Sequence, residues 1–178
     1  MGDNVIGVVG AGTMGQGIAQ IASTFHHEVL LYDAYPDQLG KAKHSLRKIL
    51  QRQVEKEQMS QQKVNGIMEH IHFVEDLTGY GDCRLVVEAV IEDLDVKQDV
   101  FKRLEGIVSR DCILATNTSS LSIASISSAL KRPNRFLGIH FFNPAPIMPL
   151  VEIIPGIATV EATTTAARTL IDDWNKTT

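Results

Sequence analysis

Gly10-Ala11-Gly12-Thr13-Met14-Gly15 follows directly on the apolar run Val5 to Val9 and opens a segment in which Ile18, Ala19, Ile21 and Ala22 recur at helical spacing. A second apolar run, Val29-Leu30-Leu31-Tyr32, ends at Asp33. Strand, glycine-rich turn, helix, second strand and terminal acid in this order restrict the chain to a βαβ unit built around a tight first turn. Each glycine has its own task. Gly10 makes the turn, Gly12 lets backbone amides approach a pyrophosphate, and Gly15 allows the helix to pack closely on the strand. The start of the helix, with Ala11, Thr13 and Met14 around it, offers unsatisfied amides and partial positive charge to phosphates. Asp33 is placed to accept hydrogen bonds from an adenosine ribose. Its carboxylate would repel a 2′-phosphate, so the expected cofactor is NAD and not NADP.

Further strands and helices alternate along the rest of the chain. Pro36 to about Glu57 reads as a long helix with Leu39, Ala42, Leu46, Ile49, Leu50 and Gln53 along one face. A shorter helix is predicted over Ser60 to Glu69, with Ser60 as its N-cap. Leu85 to Val87, Cys112 to Ala115, Phe136 to Ile139 and Leu150 to Ile154 read as strands. Helices are predicted over Asp93 to Val108, Ser122 to Leu130 and Val160 to Trp174. Strands separated by helices of ten or more residues imply an α/β fold of Rossmann type. Its sheet is doubly wound and mostly parallel, with helices on both faces.

The 178 residues suffice for one well-buried domain and not comfortably for two. A net charge of −4 gives no reason to expect nucleic acid, and no apolar run is long enough for a membrane span. Met1-Gly2 opens like a myristoylation signal, but Ile6 stands where serine or threonine is needed. No signal peptide is read at the N-terminus, and Cys83 and Cys112 are isolated, so the expectation is two buried thiols in a reducing cytoplasm. The basic stretch Lys41, Lys43, Arg47, Lys48, Arg52 and Lys56 reads most simply as a solvated helix face, with steering of an anionic ligand as the alternative.

Ligands of such folds bind at the carboxyl ends of the strands. Glu88 to Glu92, Asn117-Thr118-Ser119-Ser120 and His140-Phe141-Phe142-Asn143-Pro144 all fall there, and Glu152 lies in the strand that follows. A strand-end histidine with polar neighbours suits a general base for a hydroxyl proton, and Glu152 could hold its imidazole in one tautomer. Taken singly, each has a plainer reading. His140 could be a satisfied strand-end histidine, Glu152 a surface charge on an edge strand, and Asn117 to Ser120 the N-cap of the next helix. His26, His27, His44, His70 and His72 are given no role.

Gly10 to Gly15, Asp33, Val87-Glu88-Ala89-Val90-Ile91-Glu92, Asn117-Thr118-Ser119-Ser120-Leu121 and His140-Phe141-Phe142-Asn143-Pro144 together resemble the L-3-hydroxyacyl-CoA dehydrogenase family over essentially the whole chain. The resemblance is to bacterial members acting on 3-hydroxybutyryl-CoA, or on 3-hydroxyadipyl-CoA in phenylacetate breakdown. It implies His140 as catalytic base, Glu152 as its orienting carboxylate, and Ser119 as hydrogen-bond partner of the substrate oxygen near the cofactor. It further implies that Glu92, Lys97, Asn117 and Asn143 contact NAD and that Lys56 lies near the CoA moiety. Ile49 stands where some relatives have a CoA-contacting serine, and Pro149 where many have lysine. On this reading residues 1–178 are the NAD-binding domain, expected to be inactive alone. A helical C-terminal domain that completes the substrate site and forms a homodimer is absent. The alternatives are a gulonate-type or crystallin-like dehydrogenase on a small hydroxy acid, which the basic helix disfavours, and a non-catalytic NAD-sensing module, which needs no general base. Titration should show NAD binding more tightly than NADP; equal affinity would contradict the role read for Asp33.

Overall fold

The computed structural model describes residues 4–178, so Met1-Gly2 lies outside the described residues. Seven strands form one sheet: β1 (Val5–Val9), β2 (Glu28–Tyr32), β3 (Ile71–Val74), β4 (Leu85–Glu88), β5 (Ile113–Thr116), β6 (Phe136–Phe141) and β7 (Val151–Pro155). Their spatial order is β3-β2-β1-β4-β5-β6-β7, all parallel except β7, which runs antiparallel to β6. The switch of direction between β2 and β4 on either side of β1 opens the crevice used by ligands of doubly wound sheets.

The helices are α1 (Thr13–Thr24), α2 (Pro36–Glu55), α3 (Gln61–Glu69), α4 (Leu94–Glu105), α5 (Ile123–Ser127) and α6 (Glu161–Asp172). Alternate strand residues feed two cores, one on each face of the sheet. Ile6, Val8, Val29, Leu31, Val87 and Ala115 pack with residues of α1, α2, α3 and α6. Val9, Val86, Leu114 and Phe136 pack with Phe101 and Leu104 of α4 and Ile126 of α5. On this second face the Tyr80 ring occupies the space left by Gly7, where a Cβ would come within 2.5 Å of it. The Tyr80 hydroxyl lies 2.9 Å from the Val8 carbonyl oxygen and 2.8 Å from that of Leu30.

The predicted elements differ from the observed ones at several points. The apolar face of α2 buries Leu39, Ala42, Leu46 and Leu50, but Ile49 is exposed. That helix ends at Glu55, because Glu57 adopts a left-handed conformation with φ of 54°. The helix expected over Ser122 to Leu130 is confined to Ile123–Ser127, with Ser122 as N-cap. No strand is predicted where the short edge strand β3 lies. Its His72 faces out and bonds, with His70, to the two carboxylate oxygens of Glu28 at 2.6 and 2.7 Å. His27 is buried and accepts a hydrogen bond from Trp174 Nε1 at 2.9 Å, joining the end of α6 to the start of β2.

Among the described residues, no helix is long and apolar enough to cross a membrane. Both cysteines are buried and unpaired. Burial raises the Cys83 thiol and pushes that of Cys112 up to about 12. A thiol-reactive aromatic disulfide at neutral pH should therefore titrate neither cysteine in the folded chain and both in denaturant.

Candidate active site

The site grows from the β1–α1 turn. Gly10 has φ of 104°, a region closed to most side chains, and a Cβ there would also lie 2.5 Å from the Ala89 carbonyl oxygen. A Cβ on Gly15 would sit 1.7 Å from the Gly10 carbonyl oxygen, so helix and turn touch backbone to backbone. Gly12 is different. Its backbone is extended (φ −69°, ψ −173°) and a Cβ would meet nothing within 4 Å. The fold itself places no demand for glycine at position 12. What glycine leaves free there is the approach to the first turn of α1, whose amides precede the first helical bond, from Gln16 N to the Gly12 carbonyl at 2.9 Å. That turn carries no acidic side chain, so it fits a pyrophosphate. Asp33, just after β2, accepts from Ala11 N at 2.7 Å through one oxygen and from Tyr35 N at 3.0 Å through the other. The carboxylate is thereby fixed at the edge of the turn on the β2 side.

On the β4 side lies a pocket of about 350 Å³ whose lining includes Met14, Glu92, Lys97, Asn117, Ser119, His140 and Asn143. Its floor is a charged network. Glu88, fully buried at the end of β4, accepts from Lys97 Nζ at 2.7 Å, Val90 N at 2.6 Å and Thr116 Oγ1 at 2.7 Å. Lys97, 1% exposed, also reaches Glu92 at 3.3 Å. The other Glu92 oxygen accepts from the Thr118 hydroxyl, from the amides of Ser119 and Ser120 at 3.2 Å, and from Ser120 Oγ at 3.0 Å. Partial burial alone would raise the Glu92 carboxyl, but the Thr118 hydrogen bond and the Lys97 charge outweigh it and hold the group down at about 2. Removing Glu88 or Lys97, both buried, typically costs about 3–5 kcal/mol in such a pair, because the other charge is left uncompensated.

The far wall comes from β6 and β7. Antiparallel register sets His140 directly opposite Glu152, and Nδ1 lies 2.8 Å from Glu152 Oε2. A carboxylate accepts, so Nδ1 carries the proton and Nε2 is the basic nitrogen. Asn117 Oδ1 accepts from Phe141 N at 2.9 Å and ties the β5 loop to the end of β6. Ser119 is exposed, and its hydroxyl has no partner among the described residues.

The structure thus brings Met14, Glu92, Lys97, Asn117, Ser119, His140 and Asn143 around one pocket, with Glu152 behind the imidazole. Lys56 stands apart, capping the exposed C-terminus of α2. It does not line the neighbouring pocket of about 250 Å³ between α1, α2 and Asn143 to Ile147, which Ile49 and Gln53 do line. Sequence reasoning missed the partners Thr116 and Thr118, and the burial of Lys97. One signal was available: Lys97, Phe101 and Leu104 share a helix stripe, so the lysine lies on the apolar face of α4. Among the described residues, no group of three or more metal-ligating side chains could hold a metal ion.

Residues 5–178 match the model of the NAD-binding domain of 3-hydroxyacyl-CoA dehydrogenases. The chain belongs to the 3-hydroxyacyl-CoA dehydrogenase family. A 3-hydroxybutyryl-CoA dehydrogenase of Bradyrhizobium diazoefficiens is 39% identical over 171 residues, covering 96% of this chain and 58% of that protein. The 3-hydroxyadipyl-CoA dehydrogenase of Escherichia coli is 36% identical, with 96% and 36% covered. The crystal structure of (S)-3-hydroxybutyryl-CoA dehydrogenase from Ralstonia eutropha superposes with a TM-score of 0.94 at 34% identity, over 97% of this chain and 61% of that one. The chain therefore spans little more than half of the length of such relatives, or less. Its cofactor is NAD, the cofactor of the family domain that it matches and one that the turn at Gly12 fits.

Two glycines of this dehydrogenase domain should separate binding from folding. Gly15→Ala should destabilise the chain by about 3 kcal/mol or more, because backbone cannot move aside for the added carbon. Gly12→Ala should leave thermal unfolding nearly unchanged and weaken NAD binding about tenfold or more. Calorimetric titration beside a melting curve checks both.

Proposed function

We propose that this domain serves the oxidation of the C3 hydroxyl of an (S)-3-hydroxyacyl-CoA to the 3-oxoacyl-CoA. The observation that carries this reading is the His140–Glu152 hydrogen bond at the rim of a pocket that also contains Ser119 and adjoins the cofactor turn. NAD, when bound, supplies the hydride acceptor. His140 Nε2 takes the hydroxyl proton, and the Glu152 carboxylate stabilises the imidazolium that results. The Ser119 hydroxyl donates to the substrate oxygen, and Glu92, Lys97, Asn117 and Asn143 shape the nicotinamide end of the cofactor site. The pocket beside Ile49 and Gln53 offers a path for the thioester arm, with Lys56 three residues beyond Gln53 toward the end of α2. A general base has work to do only where a proton is moved, which favours a dehydrogenase over an NAD-sensing module.

The reading includes a helical domain that completes the acyl site and a homodimer interface, as the longer relatives allow. It also includes a cytoplasmic setting. The 178-residue chain alone should then bind NAD with little or no turnover.

In the enzyme that carries this domain, His140→Gln should lower kcat by about 10²–10⁴-fold, the usual contribution of a positioned base, with NAD affinity nearly unchanged. Near wild-type kcat would refute the base, and loss of NAD binding would make His140 structural. Glu152→Gln should lower kcat as well, because the imidazole loses the carboxylate that orients its Nδ1–H. Rates across a series of 3-hydroxyacyl-CoA thioesters and small hydroxy acids test the substrate class.

A further inference from the structure

Beyond the contact with NAD that the family resemblance implies for Glu92, its carboxylate has a fixed electrical setting. Reduction of a nicotinamide ring turns a cation into a neutral ring, so any fixed charge beside the ring acts on one redox form and not on the other. The pyrophosphate position at the first turn of α1 and the ribose acid Asp33 on the β2 side leave the β4 side for the nicotinamide end. The pocket there contains Glu92 and Lys97, with Glu88 directly beneath. Three ionised groups are joined in line: Glu88 to Lys97 at 2.7 Å and Lys97 to Glu92 at 3.3 Å. Their sum is one negative charge. Glu88 and Lys97 are 0% and 1% exposed and neutralise each other, so the excess falls on Glu92, at the pocket wall.

Glu92 is well suited to keep that charge. Four donors of the Thr118–Ser120 loop converge on one of its oxygens while Lys97 holds the other, so the carboxylate can neither turn away nor protonate at physiological pH. We infer that the Glu88–Lys97–Glu92 array is a redox-poising device: its single net negative charge, carried by Glu92, favours the oxidised, cationic form of the nicotinamide over the reduced, neutral form. Lys97 is the moderator, since without a cation in line the pocket would confront the ring with two carboxylates. Glu152 contributes separately. It stands behind His140, the other seat of positive charge once the hydroxyl proton has moved.

The inference rests on the proposed cofactor geometry and is tested by binding, with no need for turnover. The dissociation constants of NAD+ and NADH are measured for the 178-residue chain and for Glu92→Gln and Glu92→Asp. Glu92→Gln should weaken NAD+ about three- to tenfold more than NADH, a range that reflects screening at a partly exposed site. Glu92→Asp keeps the charge, so it should leave the ratio of the two constants within about twofold even if loosening of the loop weakens both. A structural defect lowers both affinities together and cannot imitate a change of ratio. Should Glu92→Gln fail to fold, Glu92→Asn removes the same charge with a shorter side chain and is compared with Glu92→Asp in the same way. An unchanged ratio in Glu92→Gln, or in Glu92→Asn if Glu92→Gln does not fold, overturns the inference and leaves the cofactor reading standing. Failure of wild type to bind either form overturns both.

Discussion

The contact on which the site depends is the one between Gly15 and the carbonyl of Gly10, where no side-chain atom fits between helix and turn. It seats α1 directly on the end of β1, and so aims the unsatisfied amides of the first helical turn into the crevice between β2 and β4. Everything charged around that crevice is arranged with respect to this end. Asp33 uses one oxygen to hold Ala11 N, so the acid just after β2 is a brace of the turn. On the other side, the amide of Ala89 bonds to the Val9 carbonyl at 2.7 Å, and the Ala89 carbonyl lies against Gly10, so the β4 loop leans on the same glycine. A helix displaced by one methyl group would disturb both flanks together.

The oxidation of an alcohol separates a hydride from a proton, and under the proposed function the two walls of the pocket would take one each. The β4–β5 wall presents Glu92, whose partner Lys97 is shared with the buried Glu88. The β6–β7 wall presents His140 backed by Glu152. Glu88, beneath the first wall, and Glu152, behind the second, are held through hydrogen bonds from partners set by strand register: Thr116 opposite Glu88, and His140 opposite Glu152. Polar groups fixed in this way need no reorganisation when charge moves, which is where preorganised sites gain over water.

The glycine turn, the strands β1, β2, β4, β5 and β6, and the candidates His140, Glu152 and Ser119 were legible because each is encoded locally, by apolar runs, helical spacing or a motif. Two kinds of feature were not. Strand β3 is short, lies at the sheet edge and has His72 between Ile71 and Phe73, so its four residues lack the unbroken apolar run that marks β4 or β5. The charge network was illegible for another reason. Glu88, Lys97, Thr116 and Thr118 come from β4, α4, β5 and the loop after β5, and only the order β4-β5 with its register brings Thr116 beside Glu88. Sequence alone marks Lys97 as an anomaly on an apolar stripe without naming its partner.

Lys176 shows the same limit at the other end of the chain. It is 8% exposed, with no carboxylate within salt-bridge distance among the described residues, and burial lowers its pKa. Its ammonium instead donates to the carbonyls of Ala145 and Met148 at 2.7 and 2.8 Å, with that of Pro146 at 3.4 Å. The loop so held runs from Asn143, which lines both pockets, to Pro149, whose carbonyl accepts from Thr177 N at 2.8 Å. Val151 N in turn donates to the Thr177 carbonyl at 2.9 Å, so the tail lies between the loop and β7. An ammonium that bonds only to carbonyls still bears the desolvation cost of a buried charge, which those oxygens offset in part. Loop, tail and β7 are thereby bonded together, and the wall shared by the two pockets is held by a lysine 28 to 31 positions beyond its carbonyl partners in sequence.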